Sequence, residues 1–338
     1  MIGSTKTNAW QTALSTAITD PLELLQILEL DLNLLDDAQR AARIFPLKVP
    51  RGFVARMQKG NLADPILQQV LPLGVELHES AGFSADPLHE SQYNPLPGLL
   101  HKYHGRVLLT LIGTCGVNCR YCFRREFPYL ENNPGSAGWN KVLAYIAQHD
   151  SIEEVILSGG DPLVANDQML GNLIQALDAI PHVKRVRIHS RMPIVLPERM
   201  TAELVAALTQ TRLQIILVTH ANHPQEINHE VNLALRPLRQ AGITLLNQSV
   251  LLKGINDRAD ILIELSRTLF AAGVLPYYLH LLDKVQGAAH FDLNKNTAIQ
   301  LHQVMASRLS GYLVPKLVTE QPGFPAKSVI ASAELYTD

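Results

Sequence analysis

The sequence predicts an α/β fold, a β/α barrel preceded by a mostly helical N-terminal extension. Three observations predict it. From about residue 101 onward, short apolar runs alternate with helix-patterned stretches some six times, which implies parallel strands covered on both faces. No G-x-G-x-x-G follows the first run, which weakens the open, dinucleotide-binding alternative. The uncommon polar and glycine residues fall where the runs end, and β/α barrels carry their chemistry on that rim.

The elements follow in order. Residues 1–100 form the extension, where Thr19-Asp20-Pro21 reads as an N-cap with proline in the first turn, feeding LELLQILEL. Pro87, Pro95, Pro97 and Gly98 punctuate its end. The barrel is expected over 101–312 and a last segment over 313–338. Strands are expected at 106–112, 153–158, 183–189, 213–220, 243–252, 275–282 and 312–318. Between them, 139–149, 167–180, 201–210, 229–242, 257–273 and 296–311 have helical spacing; Thr201 is a candidate cap and Gly242 and Gly273 are candidate stops. The cysteines follow the first strand, Gly159-Gly160-Asp161 the second and His189-Ser190-Arg191 the third. His220 ends the fourth, Gln248 lies in the fifth and Asp283 follows the sixth.

Composition narrows the class. The 338 residues are 47% hydrophobic and 18% charged, with a net charge of −2, an ordinary globular balance with no broad basic field for nucleic acid. No apolar run approaches the ~18–20 residues of a membrane span. Residues 1–20 lack a basic stretch followed by an apolar core, and the cysteines are few, odd in number and clustered, so a cytoplasmic, reducing location is expected.

All three cysteines, Cys115, Cys119 and Cys122, lie in TCGVNCRYCFRR. Inert, buried small hydrophobes would not gather in one loop. Zinc would need a fourth ligand, for which His101 and His104 are candidates. An iron–sulfur cube normally uses four thiolates, so three leave one iron open, which suits chemistry rather than structure. Gly116 and Asn118 tolerate the tight backbone that would aim three sulfurs at one object.

C-x3-C-x2-C after the first barrel strand, with Tyr121 before the last cysteine and SGGDP at 158–162, resembles the radical S-adenosylmethionine enzymes. The resemblance implies a partial (β/α)6 barrel and a [4Fe–4S] cluster whose open iron binds S-adenosyl-L-methionine, the source of a 5′-deoxyadenosyl radical. CRYCFRR, SGGDPL, RIHSRMPIVLPERM, NQSVLLKGIND and PGFPAK, running in order from about 95 to 330, are similar to the lysine 2,3-aminomutase family. That resemblance implies an isomerase acting on L-lysine with pyridoxal 5′-phosphate as second cofactor. Lys327 matches the family's pyridoxal lysine. Arg124 matches the arginine for the substrate carboxylate, and Asp283 and Glu320 match the acids for the distal ammonium. Lys102 and Arg106 match basic cofactor contacts. Gly159, Gly160, Asp161, Ser190, His220 and Gln248 match the S-adenosylmethionine side. The chain departs from the family at Glu320, where aspartate is usual, and at Phe324-Pro325-Ala326, where glycines are usual.

HKYH, FRREFPY and DKVQGAAHF resemble a shorter branch of that family, whose enzymes make (R)-β-lysine for attachment to elongation factor P by a lysyl-ligase. The chain has no cysteines for the structural zinc of the longer, catabolic branch and ends soon after Lys327, so the shorter branch is expected. The alternatives are a catabolic or related amino acid aminomutase, a radical enzyme without pyridoxal, and a non-enzymatic cluster-binding protein. No membrane or direct nucleic-acid partner is expected, and the oligomeric state is left open.

Overall fold

The computed structural model describes residues 9–330; the outer ends of the two flanking segments expected at 1–100 and 313–338 lie outside the described residues. The extension holds α1 (Ala9–Ser15), α2 (Pro21–Ile27), α3 (Leu35–Ile44) and α4 (Arg51–Val54), joined by loops and short 3-10 turns. Asp20 caps α2, its Oδ1 accepting from Leu22 N at 2.9 Å. The apolar pattern runs on to Leu30, but α2 stops at Ile27. Glu29 turns left-handed (φ 55°), and Leu30 N donates back to Leu25 O at 2.9 Å, closing the helix end.

The barrel then runs β1 (Leu99–Tyr103), β2 (Arg106–Ile112), α5 (Gly135–Gln148), β3 (Glu154–Gly159), α6 (Asp167–Asp178), β4 (Arg185–Ser190), α7 (Met192–Val195) and α8 (Ala202–Thr209). It continues with β5 (Gln214–Thr219), α9 (His229–Gln240), β6 (Thr244–Val250), α10 (Ala259–Ala271), β7 (Leu275–His280), α11 (Lys295–Arg308), β8 (Lys316–Thr319) and β9 (Ser328–Val329). The strands join in sequence order into one sheet, parallel from β2 to β8 and antiparallel at both ends. Leu108, Ile156, His189, Gln248 and His280, from five different strands, line one cavity of about 680 Å³. The sheet therefore curls around it as a partial barrel with helices outside.

Two edge strands escape the sequence pattern because they are short and complete a sheet rather than a βα unit. β1 folds onto β2 through a tight His104-Gly105 turn, with Gly105 at φ 75°. β9 folds back on β8, pairing Thr319 with Ser328. The run expected from 312 becomes strand only at Lys316, since 311–313 is a 3-10 turn and Pro315 cannot donate to the ladder. Thr201 does cap its helix, its Oγ1 accepting from Leu204 N at 3.1 Å.

One apolar core runs from Trp10, Leu24 and Phe53 of the extension through Val107, Leu157, Ile188 and Leu217 to Leu269. The extension thus shares the core between the sheet and its outer helices, and separately lends Lys48, Leu88 and Glu90 to the cavity wall. Among the described residues no helix is long and apolar enough to cross a membrane.

Candidate active site

The cysteine loop leaves β2 and passes over the barrel mouth, where all three thiols line the cavity. Two glycines make room for it, Gly116 against the movable Met192 side chain and Gly160, in the turn after β3, against backbone. A Cβ on Gly116 would lie 2.3 Å from Met192 Sδ, and one on Gly160 would lie 2.3 Å from Thr114 O. The turn after β3 is therefore pressed backbone to backbone against the entry of the cysteine loop. Gly159, at φ 102°, bends the strand into that turn and brings a would-be Cβ 2.9 Å from Thr110 Cα. Arg120, fully buried, holds the loop from below with a two-bond fork on Glu76, at 2.9 and 2.6 Å.

Burial, reinforced by the neighbouring thiols, pushes Cys115 well up. Burial and Cys119 push Cys122 up to about 11. Cys115 and Cys122 thus resist ionisation unless positive charge joins them. Arg191 brings a positive charge to the loop, its Nη1 donating to Cys119 Sγ at 2.7 Å.

Asp161 and Ser190 have a more internal place than their motif suggests. Asp161 Oδ1 accepts from Leu163 N at 3.0 Å and Ser190 Oγ at 2.6 Å; Oδ2 accepts from Arg191 N at 2.7 Å and Met192 N at 3.1 Å. The carboxylate ties the end of β3 to the end of β4. Ser190 is 1% exposed behind it and does not line the cavity. His220 and Gln248 do line it, their Nε2 atoms 2.8 Å apart. Burial, aided by Arg191, lowers His220 to about 3, so its ring is neutral.

The cavity wall farther along the sheet carries the amine and the acids. The pairing of Thr319 with Ser328 makes Glu320 and Lys327 the next residues across the β8–β9 neck, and their side chains meet at 2.5 Å. Glu320 Oε1 also accepts from Lys102 Nζ and Tyr103 Oη, both at 2.8 Å. Burial opposes ionisation here, yet Lys327 and Lys102 outweigh it and hold the Glu320 carboxyl far below the usual range. Asp283, nearby past β7, has no such bond. Burial outweighs Lys327 and raises it to about 7. Arg106 lines the same wall, its guanidinium 4.6 Å from the centre of the Tyr103 ring.

Arg124 is 7% exposed, and its Nε and Nη2 form a fork on Glu90 at 2.7 and 2.6 Å. Nη1 donates to Ser158 Oγ at 3.0 Å. Those bonds use three of the five guanidinium hydrogens and leave one on each Nη. Glu90 has no signal in sequence: it belongs to the extension, turned inward after the exposed, left-handed His89 (φ 50°). Other cavity residues missed by sequence reasoning are Lys48, Glu154, Arg187 and His280. Arg187 and His189 were detectable as alternating polar residues on a strand inside a barrel.

The donor set fits an iron–sulfur cluster better than zinc. His101 is committed elsewhere, its Nδ1 2.9 Å from Tyr145 Oη, and neither it nor His104 lines the cavity. Among the described residues, no three His, Cys, Asp or Glu side chains gather about a point for one metal ion, whereas a cube spreads its cysteines over separate irons. Three thiols on the loop after the first parallel strand, beside a glycine turn with no further thiol, define the class: an enzyme of the radical S-adenosylmethionine superfamily, with a [4Fe–4S] cluster. A family model described as a 4Fe–4S single cluster domain matches residues 104–190.

Relatives give the family. L-lysine 2,3-aminomutase of Escherichia coli (strain K12) is 52% identical over 94% of this chain and 93% of its own. The proteins of that name from Haemophilus influenzae and Buchnera aphidicola subsp. Baizongia pistaciae are 50% and 48% identical, each over 95% of both chains. The chain belongs to the lysine 2,3-aminomutase family, enzymes of the isomerase type.

Proposed function

We propose that the protein is a lysine 2,3-aminomutase that moves the α-amino group of L-lysine to the β-carbon, giving (R)-β-lysine for the modification of elongation factor P. One observation carries the reading. A single cavity brings together three cluster-type thiols, the Lys327 amine, the Arg124 guanidinium and the carboxyl groups of Asp283 and Glu320. Those are the groups needed to hold an amino acid with a cationic side chain beside a radical source.

Cys115, Cys119 and Cys122 would hold the cluster, with Gly159 and Gly160 beside S-adenosylmethionine; bound there, the pair supplies the radical that removes and returns a hydrogen. Lys327 would hold pyridoxal phosphate, with Arg106 and Lys102 as counter-charges for its phosphate; that cofactor supplies the electron sink for the migrating nitrogen. The chain's own residues do the positioning. Arg124 keeps one N–H on each Nη for the substrate carboxylate, a bidentate match. Glu320 already pairs with a primary ammonium, that of Lys327, which supports its pairing with the substrate's. Asp283, at about 7 in this state, becomes the second anion once an ammonium arrives. His189, His220 and His280, all lowered by burial, stay neutral and add no competing cation.

Support for the elongation-factor branch is the likeness of HKYH, FRREFPY and DKVQGAAHF to that branch. The test is anaerobic incubation of reconstituted protein with L-lysine, S-adenosylmethionine, pyridoxal phosphate and a reductant, followed by chiral analysis. (R)-β-lysine is expected. (S)-β-lysine would move the reading to a catabolic aminomutase, and no β-lysine would refute the substrate.

A further inference from the structure

Arg191 follows β4 and is 4% exposed. Its contacts exceed what packing requires. Nη2 is fixed by Gln69 Oε1 at 2.6 Å and Glu226 Oε2 at 2.8 Å, while the backbone N is fixed by Asp161 at 2.7 Å. Glu226 is itself held by Gln69 Nε2 and the backbone N–H groups of Asn222 and His223. The rings of Phe53 and Tyr121 lie 5.6 and 5.7 Å from the guanidinium carbon. A fork held on so many sides has little freedom to turn. It is held so that Nη1 faces Cys119 Sγ at 2.7 Å.

A neutral thiol is a poor acceptor for a buried guanidinium N–H, whereas a thiolate is a good one. Nε is buried without a partner, so the network leaves one donor unsatisfied while directing another at sulfur. The arrangement makes sense if the sulfur is negative, and most negative when a bound cluster is reduced. One-electron reduction adds a charge to the cluster without forming or breaking a bond, the electron coming from a low-potential one-electron donor. An N–H donor and a fixed positive charge at a ligating sulfur favour the more negative state.

We propose that Arg191 is a positioning residue that raises the reduction potential of the cluster through its hydrogen bond to Cys119. This rests on the assignment of the three thiols as cluster ligands. Removing arginine alone would strand the buried Glu226, so the charge-balanced R191Q/E226Q variant is compared with R191K and wild type, each reconstituted anaerobically. Iron and sulfide content and an EPR-monitored potentiometric titration are measured without substrate. Full cluster content is expected in all three. In R191Q/E226Q the reduction equilibrium should fall at least tenfold, a midpoint lower by 59 mV for one electron; R191K, which keeps the charge, should fall less. Unchanged midpoints with full clusters would overturn the proposal. So would loss of the cluster from both variants, which would make Arg191 a structural fastener only. Wild-type protein that takes up no cluster would instead overturn the ligand assignment itself.

Discussion

Asp283→Asn gives the most direct test of the electrostatics in the pocket. Asp283 faces Lys327, Lys102, Glu320 and Glu90, but burial dominates and moves its carboxyl from an ordinary 3.8 to about 7. The folded chain therefore binds this proton more tightly than the unfolded chain does. Such a group costs nothing below the unfolded value. Between about pH 4 and pH 7 the unfolded carboxyl ionises while the folded one does not, so stability falls as pH rises; above pH 7 the cost is complete. At about 1.4 kcal/mol per tenfold change, the full cost is on the order of 4 kcal/mol. Asparagine keeps the shape and carries no charge. The variant should match wild type near pH 4 and exceed it by on the order of 4 kcal/mol at pH 8. For 338 residues, with an unfolding entropy near 2.1 cal/mol/K per residue, that is roughly 6 °C in Tm. Scanning calorimetry under nitrogen, on both proteins across pH 4–8, reads the difference, because titrating groups away from this pocket cancel. A stability difference that does not change with pH would refute the claim that Asp283 is held protonated. The same residue should be essential to turnover, since the neutral amide cannot pair with the substrate ammonium.

Other outcomes follow from the same geometry. Glu320→Gln should raise KM for L-lysine by about 10–100-fold, the loss of a charge-assisted hydrogen bond, while Glu320→Asp should change the rate or the handedness of the product; steady-state kinetics with chiral chromatography would show a mistaken role if both stayed at wild-type values. Glu90→Ala strands the Arg124 guanidinium and should cost about 3–5 kcal/mol in chemical denaturation, much of it recovered when Arg124→Met is added; additive losses would mean the two are not coupled. Gly160→Ala forces a Cβ to within 2.3 Å of Thr114 O, so iron per chain should fall well below wild type, whereas Gly311→Ala, with nothing within 4 Å, should load fully. Cys119→Ser should lose the cluster and its colour, and a brown, iron-replete variant would remove Cys119 from the ligand set.

Much of the fold was legible because its signals are local. Alternating apolar runs, the Thr201 cap and the glycines after α9 and α10 act over a few residues, and each is found in place. The edge strands β1 and β9 were not legible, since β1 (LLHKY) carries only two apolar aliphatic residues before turning polar and β9 is two residues long. The same division holds in the site. The cysteines, the glycine turn and the rim residues were readable, because spacing and strand ends carry them. Ser190 was readable as a rim residue, but its side chain turns back onto Asp161, a choice made by four donors competing for one carboxylate.

The sequence by itself determined which groups are close in the chain: three thiols in eight residues and a glycine turn one βα unit later. The tertiary structure decided how those groups are charged and held. Glu90 reaches Arg124 across 34 residues, Arg191 reaches Cys119 across 72, and Lys102 reaches Glu320 across 218. The reason is physical. Coulomb attraction and desolvation depend on distance through space and on burial, and neither exists until the sheet has curled and the extension has packed against it.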